Sequence, residues 1–263
     1  MLQNFISTLF GTFARHKFTP TIQKFINETY AEFFNIDFSE FDEPQSYETL
    51  LALFTRQLRK ERSLDDAFIS PSDGKILYFG KGEGSKAFSI KGFKYDVIEL
   101  LGSSCQPGEL AKGFDYAGIY LSPKDYHHFH APCDFELLDI AYFGGALYSV
   151  SPSWLKIVDN LYAKNERVVM KCRLENGKIF WLVFVGALNV GKIVIEREAR
   201  IETNAKNANA LYNYNNEFYK KGERIGRFEL GSTIVIIAQN DAINFDLKEN
   251  QSVKFGKKIA TFV

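Results

Sequence analysis

Residues 227–237 read RFELGSTIVII. The last five residues, Thr233 to Ile237, are rich in β-branched side chains and predict a buried strand. Directly against its start stands the small step Gly231-Ser232-Thr233. Glycine inside a strand pattern usually marks a bulge or a tight turn. The other reading is that the chain is built to break there, and only the rest of the sequence decides between them.

Working outward, the same texture fills the chain after Pro71. KILYF (75–79), AFSI (87–90), DVIELL (96–101), AGIYL (117–121), ELLDIAYF (136–143), RVVMKCRL (167–174), KIFWLVFVG (178–186), KIVIE (192–196) and AINFDL (242–247) are short β-rich runs punctuated by glycines. Even spacing with turn signals predicts a sandwich or barrel-like sheet body. No helical pattern alternates with these runs, which disfavours a doubly wound parallel sheet. The first 65 residues read differently. Leu2, Phe5, Ile6, Leu9 and Phe13 recur at helical spacing, as do Ile22, Phe25, Ile26, Tyr30 and Phe33. Thr19-Pro20 predicts a helix start, and Tyr47 to Arg62 a third helix with a basic C-terminal end. The expected fold class is therefore α+β: amphipathic N-terminal helices over residues 1–65, then a β-rich body over 66–263.

Composition narrows the function. Thirty-two basic and 32 acidic residues leave a formal net charge of zero, so no basic nucleic-acid footprint is present. Cys105, Cys133 and Cys172 form no CxxC pair and argue against a disulfide framework. The longest strongly apolar run, residues 179–190, is too short to span a bilayer. MLQNFISTLF lacks a basic leader before an apolar stretch, so neither a secretory signal nor a spanning helix is expected. The aromatic stripes at the start serve either packing or a membrane interface, apolar face down.

Three of the four histidines lie within Asp125-Tyr126-His127-His128-Phe129-His130. Metal ligation, proton transfer and ordinary hydrogen-bonded histidines all fit that cluster. Consecutive strand residues point to opposite faces, which works against a convergent metal site. Taken alone, Ser72-Asp73-Gly74 is a turn. Gly80-Lys81-Gly82-Glu83-Gly84-Ser85 leads into no helix, so dinucleotide binding fails on context. Leu101-Gly102-Ser103 repeats the triplet at 230–232, and a triplet alone carries little specificity.

As an ordered set, however, the motifs carry a resemblance. PSDGKI (71–76), IKGFKYDVIELLG (90–102), YLSPKDYHHFHAP (120–132), ALYSVSP (146–152), LYAKNERVV (161–169), VGALNVGKI (185–193) and KGERIGRFELGSTIVII (221–237) resemble segments of the phosphatidylserine decarboxylase family, which is pyruvoyl-dependent. FTRQLRKERS (54–63) is a weaker match, with Ser63 where the family usually has Pro. The resemblance runs from about residue 48 to the end and assigns the first Leu-Gly-Ser to scaffold.

It implies self-cleavage at Gly231–Ser232. The Ser232 hydroxyl would attack the preceding carbonyl, elimination would release residues 1–231 (the β chain), and Ser232 would become a pyruvoyl cap on residues 232–263 (the α chain). It names Asp73 orienting His130, and His130 activating Ser232, in the manner of a serine-protease triad. Pyruvate, covalently held, is the expected cofactor, forming a Schiff base with the serine amine as CO2 leaves. His127 is matched to the proton donor. Asp125, Thr233 and Leu230 would support the site. His128 stands where the family commonly has Arg, so any headgroup contact there would lack the bidentate fork. No metal is expected. The implied partners are phosphatidylserine, a membrane surface at the cytoplasmic face, the two chains of the cut precursor and a second copy of the chain. Two other function classes fit parts of the sequence. A lipoyl-like or phosphotransferase-like carrier would keep Gly231–Ser232 intact, and a metal hydrolase would use the histidine cluster.

Overall fold

The computed structural model describes residues 11–83, 88–90, 93–150, 158–187, 192–203, 208–229 and 231–263, with backbone alone at 88–90, 93 and 94. The first aromatic stripe lies mostly outside the described residues, as does Leu230. Residues 11–15 are helical. The further helices are α1 (Pro20–Phe33), α2 (Leu50–Phe54), α3 (Val97–Leu101) and α4 (Leu161–Lys164). The strands are β1 (Phe68–Ile69), β2 (Gly74–Gly82), β3 (Phe88–Ile90), β4 (Phe93–Tyr95), β5 (Phe114–Leu121), β6 (His128–His130), β7 (Phe135–Phe143), β8 (Arg167–Arg173), β9 (Ile179–Gly186), β10 (Ile193–Ile195), β11 (Ala210–Tyr219), β12 (Arg224–Phe228), β13 (Ser232–Gln239), β14 (Ile243–Phe245), β15 (Ser252–Val253) and β16 (Lys258–Phe262). The α+β expectation with a β-rich body holds.

An eight-stranded sheet in the order β11-β7-β8-β9-β13-β5-β2-β15 forms the frame, with antiparallel neighbours throughout. The STIVII run is β13, enclosed between β9 and β5. Burial on both sides explains its unbroken apolar character. On its inner face, Ile234 and Ile236 pack with Phe180, Leu182 and Phe184 and with the small sheet β10-β12-β6. Phe129 of β6 stacks on Phe184 with centroids 4.0 Å apart. That sheet is drawn in tightly at Gly226, where a Cβ would lie 1.9 Å from the Val194 carbonyl oxygen. The sheet β1-β16-β14 closes the same side through Phe68, Ile243 and Ile259. On the outer face, Val235 and Ile237 pack with Leu100, Leu101, Tyr162 and Trp181, which α3, α4 and β9 supply.

Two readings change. DVIELL is not a strand: the Asp96 carboxylate accepts from the Ile98 and Glu99 amides at 2.8 and 3.0 Å, and this cap starts α3. The third N-terminal helix is Leu50–Phe54 rather than Tyr47–Arg62. Its remainder is irregular because Arg56 and Arg62 turn inward to carbonyl and carboxylate partners. Pro20 does open α1, although the Thr19 side chain makes no cap bond.

The helix α1 docks with its polar side. Gln23, Asn27 and Ala31 are buried, while Phe25 is 70 % and Phe33 79 % exposed. Asn27 Nδ2 donates to the carbonyls of Pro44 and Tyr47 at 3.0 and 2.8 Å. The apolar stripe is left facing outward and over the space beside β13.

Candidate active site

The segment before Ser232 is held from several sides. The Glu229 amide donates to the Lys192 carbonyl at 2.8 Å. Its carboxylate accepts from Arg15 at 2.5 Å and Arg227 at 3.2 Å, so the helical residues 11–15 grip the chain just ahead of the small step. Gly231 follows with φ of 23°, in the region that favours glycine. Ser232 is the first residue of β13, opposite Leu121 on one side and Gly186 on the other. Its hydroxyl is buried and has no hydrogen-bond partner. A buried polar atom left unpaired is costly. Thr233 is buried beside it.

A cavity of about 580 Å³ reaches Gly231 and Ser232. Its walls are largely apolar: Ile26, Tyr30 and Phe33 from α1, Phe54 from α2, and Tyr120 and Val150 from the body. The cavity thus joins the exposed stripe of α1 to the candidate cleavage bond.

The histidines divide between two faces of β6. Tyr126, His128 and His130 share one side, where Tyr126 stacks on both imidazoles and His130 stacks on Phe255 at 3.7 Å. His127 and Phe129 lie on the other. The His127 ring rests against Phe54, centroids 3.9 Å apart, and Phe54 lines the Ser232 cavity. Among the described residues, no group of three His, Cys, Asp or Glu could hold a metal ion.

Carbonyl partners fix the imidazole tautomers, because a carbonyl oxygen only accepts. His127 Nδ1 donates to the Asp125 carbonyl at 2.8 Å, which leaves Nε2 as a buried lone pair with no partner. Burial and the nearby Arg56 charge push its pKa well below the usual value. His130 Nδ1 donates to the Gly222 carbonyl at 2.9 Å, and the Tyr126 hydroxyl donates to Nε2 at 3.1 Å. His128 Nε2 donates to the Thr55 carbonyl at 2.9 Å. Burial lowers both His128 and His130 to about 4. Neutral His128 therefore offers only an acceptor at Nδ1, and pairing with a phosphate oxygen would require a second proton.

Asp73 is close to His130 in the fold but bonded elsewhere. Its carboxylate takes Arg62 in a bidentate pair at 2.5 and 3.0 Å and accepts the Phe255 amide at 2.8 Å. Phe255 also carries the His130 ring, and the His130 amide donates to the Pro71 carbonyl at 2.8 Å. In this uncut chain no hydrogen bond links Asp73, His130 and Ser232 to one another, and His130 lines a different cavity, with Gly222 and Arg224. The Asp125 carboxylate accepts from the Ser122 amide and hydroxyl, both at 2.7 Å, and burial raises its pKa.

Sequence reasoning missed the arginines of this region. Arg56, buried, donates to the Leu53, Lys124 and Asp125 carbonyls and lies over Phe41, which fixes the turn that presents His127. Arg62 joins Asp73 to Glu40. In the sequence both belong to a basic helix end, and nothing in their spacing separates them from solvated charge.

Known proteins resemble the chain over nearly its whole length. The family profile described as phosphatidylserine decarboxylase matches residues 50–261. The phosphatidylserine decarboxylase proenzyme of Campylobacter jejuni is 54% identical over 259 residues, which is 97% of this chain and 97% of that protein. That of Helicobacter pylori is 44% identical over 266 residues, covering 99% and 98%. That of Legionella pneumophila (strain Lens) is 35% identical over 267 residues, covering 97% and 93%. With a family profile matched over residues 50–261 and similarity to these proenzymes over nearly the whole length, the chain belongs to the phosphatidylserine decarboxylase family.

Proposed function

We propose that this chain is a proenzyme that cuts itself at Gly231–Ser232 and, once cut, converts phosphatidylserine to phosphatidylethanolamine. The observation that carries the reading is the Ser232 hydroxyl: buried, unpartnered, directly after a glycine at positive φ and at the end of an apolar cavity. Ser232 Oγ attacks the Gly231 carbonyl carbon, and glycine brings no side chain of its own to obstruct that attack. The ester so formed eliminates to free residues 1–231 and leaves a dehydroalanine, and water then hydrolyses it with release of ammonia, so that residues 232–263 are capped by pyruvoyl. Replacing Ser232 by Ala tests this: one uncut chain without CO2 release is expected, and normal cutting would overturn it.

His130 serves as the base for Ser232, and Asp73 orients it. Both nitrogens of His130 are engaged in the uncut chain, so cutting requires an exchange of partners. At Nε2 the Tyr126 hydroxyl gives way to Ser232, and at Nδ1 the Gly222 carbonyl gives way to Asp73, loosened from Arg62. Catalytic hydrogen bonds commonly tighten only in the reacting state. One observation favours a second reading, in which His127 is that base. Its Nε2 and the Ser232 hydroxyl are both buried and unpartnered, and Phe54 connects their surroundings.

The pyruvoyl group, when present, supplies the electron-withdrawing ketone against which the substrate carboxylate leaves as CO2. His127 Nε2, a bare lone pair in the uncut chain, takes up a proton from solvent during the reaction and delivers it to the carbon that has lost CO2. The Asp125 carbonyl fixes the ring, and Thr233 follows Ser232 in β13. Residues 1–65 form the lipid-docking region and 66–263 the catalytic body. The exposed faces of Phe25 and Phe33 support docking on a membrane surface, with acyl chains entering past Ile26 and Tyr30. No helix among the described residues is long and apolar enough to cross a membrane.

A further inference from the structure

The bond between Gly231 and Ser232 joins two segments that different parts of the molecule hold. Downstream, Ser232 opens β13 and is laddered on both sides, to Leu121 of β5 and Gly186 of β9. Upstream, β12 ends at Phe228, whose amide donates to the His127 carbonyl at 3.0 Å. The Glu229 amide then donates to the Lys192 carbonyl at 2.8 Å. Between the two anchors Gly231 takes a φ of 23°, which glycine tolerates and other residues rarely adopt. The placing of its carbonyl therefore depends on how firmly both flanks are held.

The upstream anchor leans on a residue far away in the chain. Glu229 is only 7 % exposed, and a carboxylate so buried needs a partner. Arg15 Nη2 donates to its Oε2 at 2.5 Å, and Arg227 Nη2 donates to its Oε1 at 3.2 Å. Each oxygen thus meets one guanidinium. Arg227 stands two residues back and moves with the segment. Arg15 lies 214 positions away and ties the segment to a separate element. That element has its own seat: Ala14 is fully buried in a cluster with Leu50 and Phe54. Arg15 Nη1 also donates to the Gly11 carbonyl at 3.3 Å, which steadies the guanidinium on its own helical turn.

We infer that Arg15 is a positioning residue for chain cutting: through Glu229 it keeps the Gly231 carbonyl within reach of the Ser232 hydroxyl. The inference rests on the reading under Proposed function. Attack needs the reacting atoms about 3–3.5 Å apart and aligned, and a misplacement of about 1 Å costs on the order of 100-fold. Without Arg15, the Glu229 charge is left with Arg227 alone, and the segment relieves it by moving toward water. Arg15 touches no reacting atom, so its whole effect passes through the carboxylate it holds.

The test is the rate of chain cutting, followed by pulse–chase in cell-free synthesis. Arg15→Met should slow cutting by at least tenfold, the size of a charge-assisted hydrogen bond. Arg15→Lys, which restores a charged donor, should recover most of the rate. Glu229→Gln should also slow cutting, and Arg15→Met combined with Glu229→Gln should be no slower than the slower single variant, since both break one contact. In the uncut Ser232→Ala chain, adding Arg15→Met should speed amide exchange at Glu229 about tenfold while the β13 amides keep their protection. Wild-type cutting in the Arg15→Met chain, slowing that multiplies in the double variant, or unchanged exchange at Glu229 would overturn the inference. Wild type is scored beside the variants. A wild-type chain that stays whole sinks the processing reaction itself, whereas a cut wild type beside an equally fast Arg15→Met chain sinks only the role of Arg15.

Discussion

Asn27→Ala probes the way α1 is attached. Asn27 is fully buried and makes three hydrogen bonds: to the Pro44 and Tyr47 carbonyls at 3.0 and 2.8 Å, and from Gln23 Nε2 at 2.8 Å. Each bond is worth about 1 kcal/mol net, so the substitution costs roughly 3 kcal/mol. Little else on that side replaces it, because only Gln23, Asn27 and Ala31 of the helix are buried. At about 1.4 kcal/mol per decade, local opening of α1 should become roughly 100-fold more frequent. Hydrogen exchange read by mass spectrometry should show that loss of protection across residues 20–33. The amides of β13, inside the large sheet, should keep theirs. Decarboxylation of long-chain lipid should fall, because α1 supplies one wall of the cavity at Ser232. Unchanged exchange in α1 would refute the polar seam, and equal loss in β13 would refute the independence of the helix from the body.

His130→Ala should slow chain cutting, whereas His127→Ala should cut normally and lose most decarboxylation. A time course on denaturing gels decides this, and slow cutting in the His127 variant with normal cutting in the His130 variant would select the second reading. Gly226→Ala should prevent stable folding, since its Cβ would meet the Val194 carbonyl at 1.9 Å; a soluble chain with wild-type melting would refute the close approach. Acid should destabilise the protein in a window that the histidines define. His128 and His130 fall to about 4 when folded, from an ordinary value near 6.5. The unfolded chain then binds protons first, so their contribution is complete above pH 6.5 and declines toward pH 4, by up to about 3 kcal/mol each. Asp139, raised by burial to about 6, acts in the opposite sense and offsets about one of them. His128→Gln should therefore flatten the fall of melting temperature between pH 6.5 and 4, and an unchanged slope would contradict the assignment.

The strands that enclose Ser232 were legible because they are buried on both sides. KIFWLVFVG and STIVII need no polar face, and apolar runs of that length between glycines have few other uses. The strand β11 was missed. LYNYNNEFY lies at the sheet edge with alternating half-buried and exposed positions, and its asparagines read as loop. DVIELL misled because its composition suits a strand, while a single aspartate cap decides for helix. The polar docking of α1 was also hidden: the apolar stripe was read correctly, but periodicity cannot say which side faces the body. At the site, motif order brought out Ser232, Asp73 and the histidines. The partners that decide their hydrogen bonding, Gly222, Thr55, Arg62 and Phe255, lie between 11 and 182 residues away in the chain, and no local pattern exposes them.

The most direct test of the account is the denaturing intact mass of freshly purified protein. The account predicts two chains, residues 1–231 and a capped 232–263. The small chain should be lighter than its serine-started sequence by one ammonia, about 17 mass units, as a pyruvoyl terminus requires. A single chain of unmodified mass that stays uncut on prolonged incubation would contradict it.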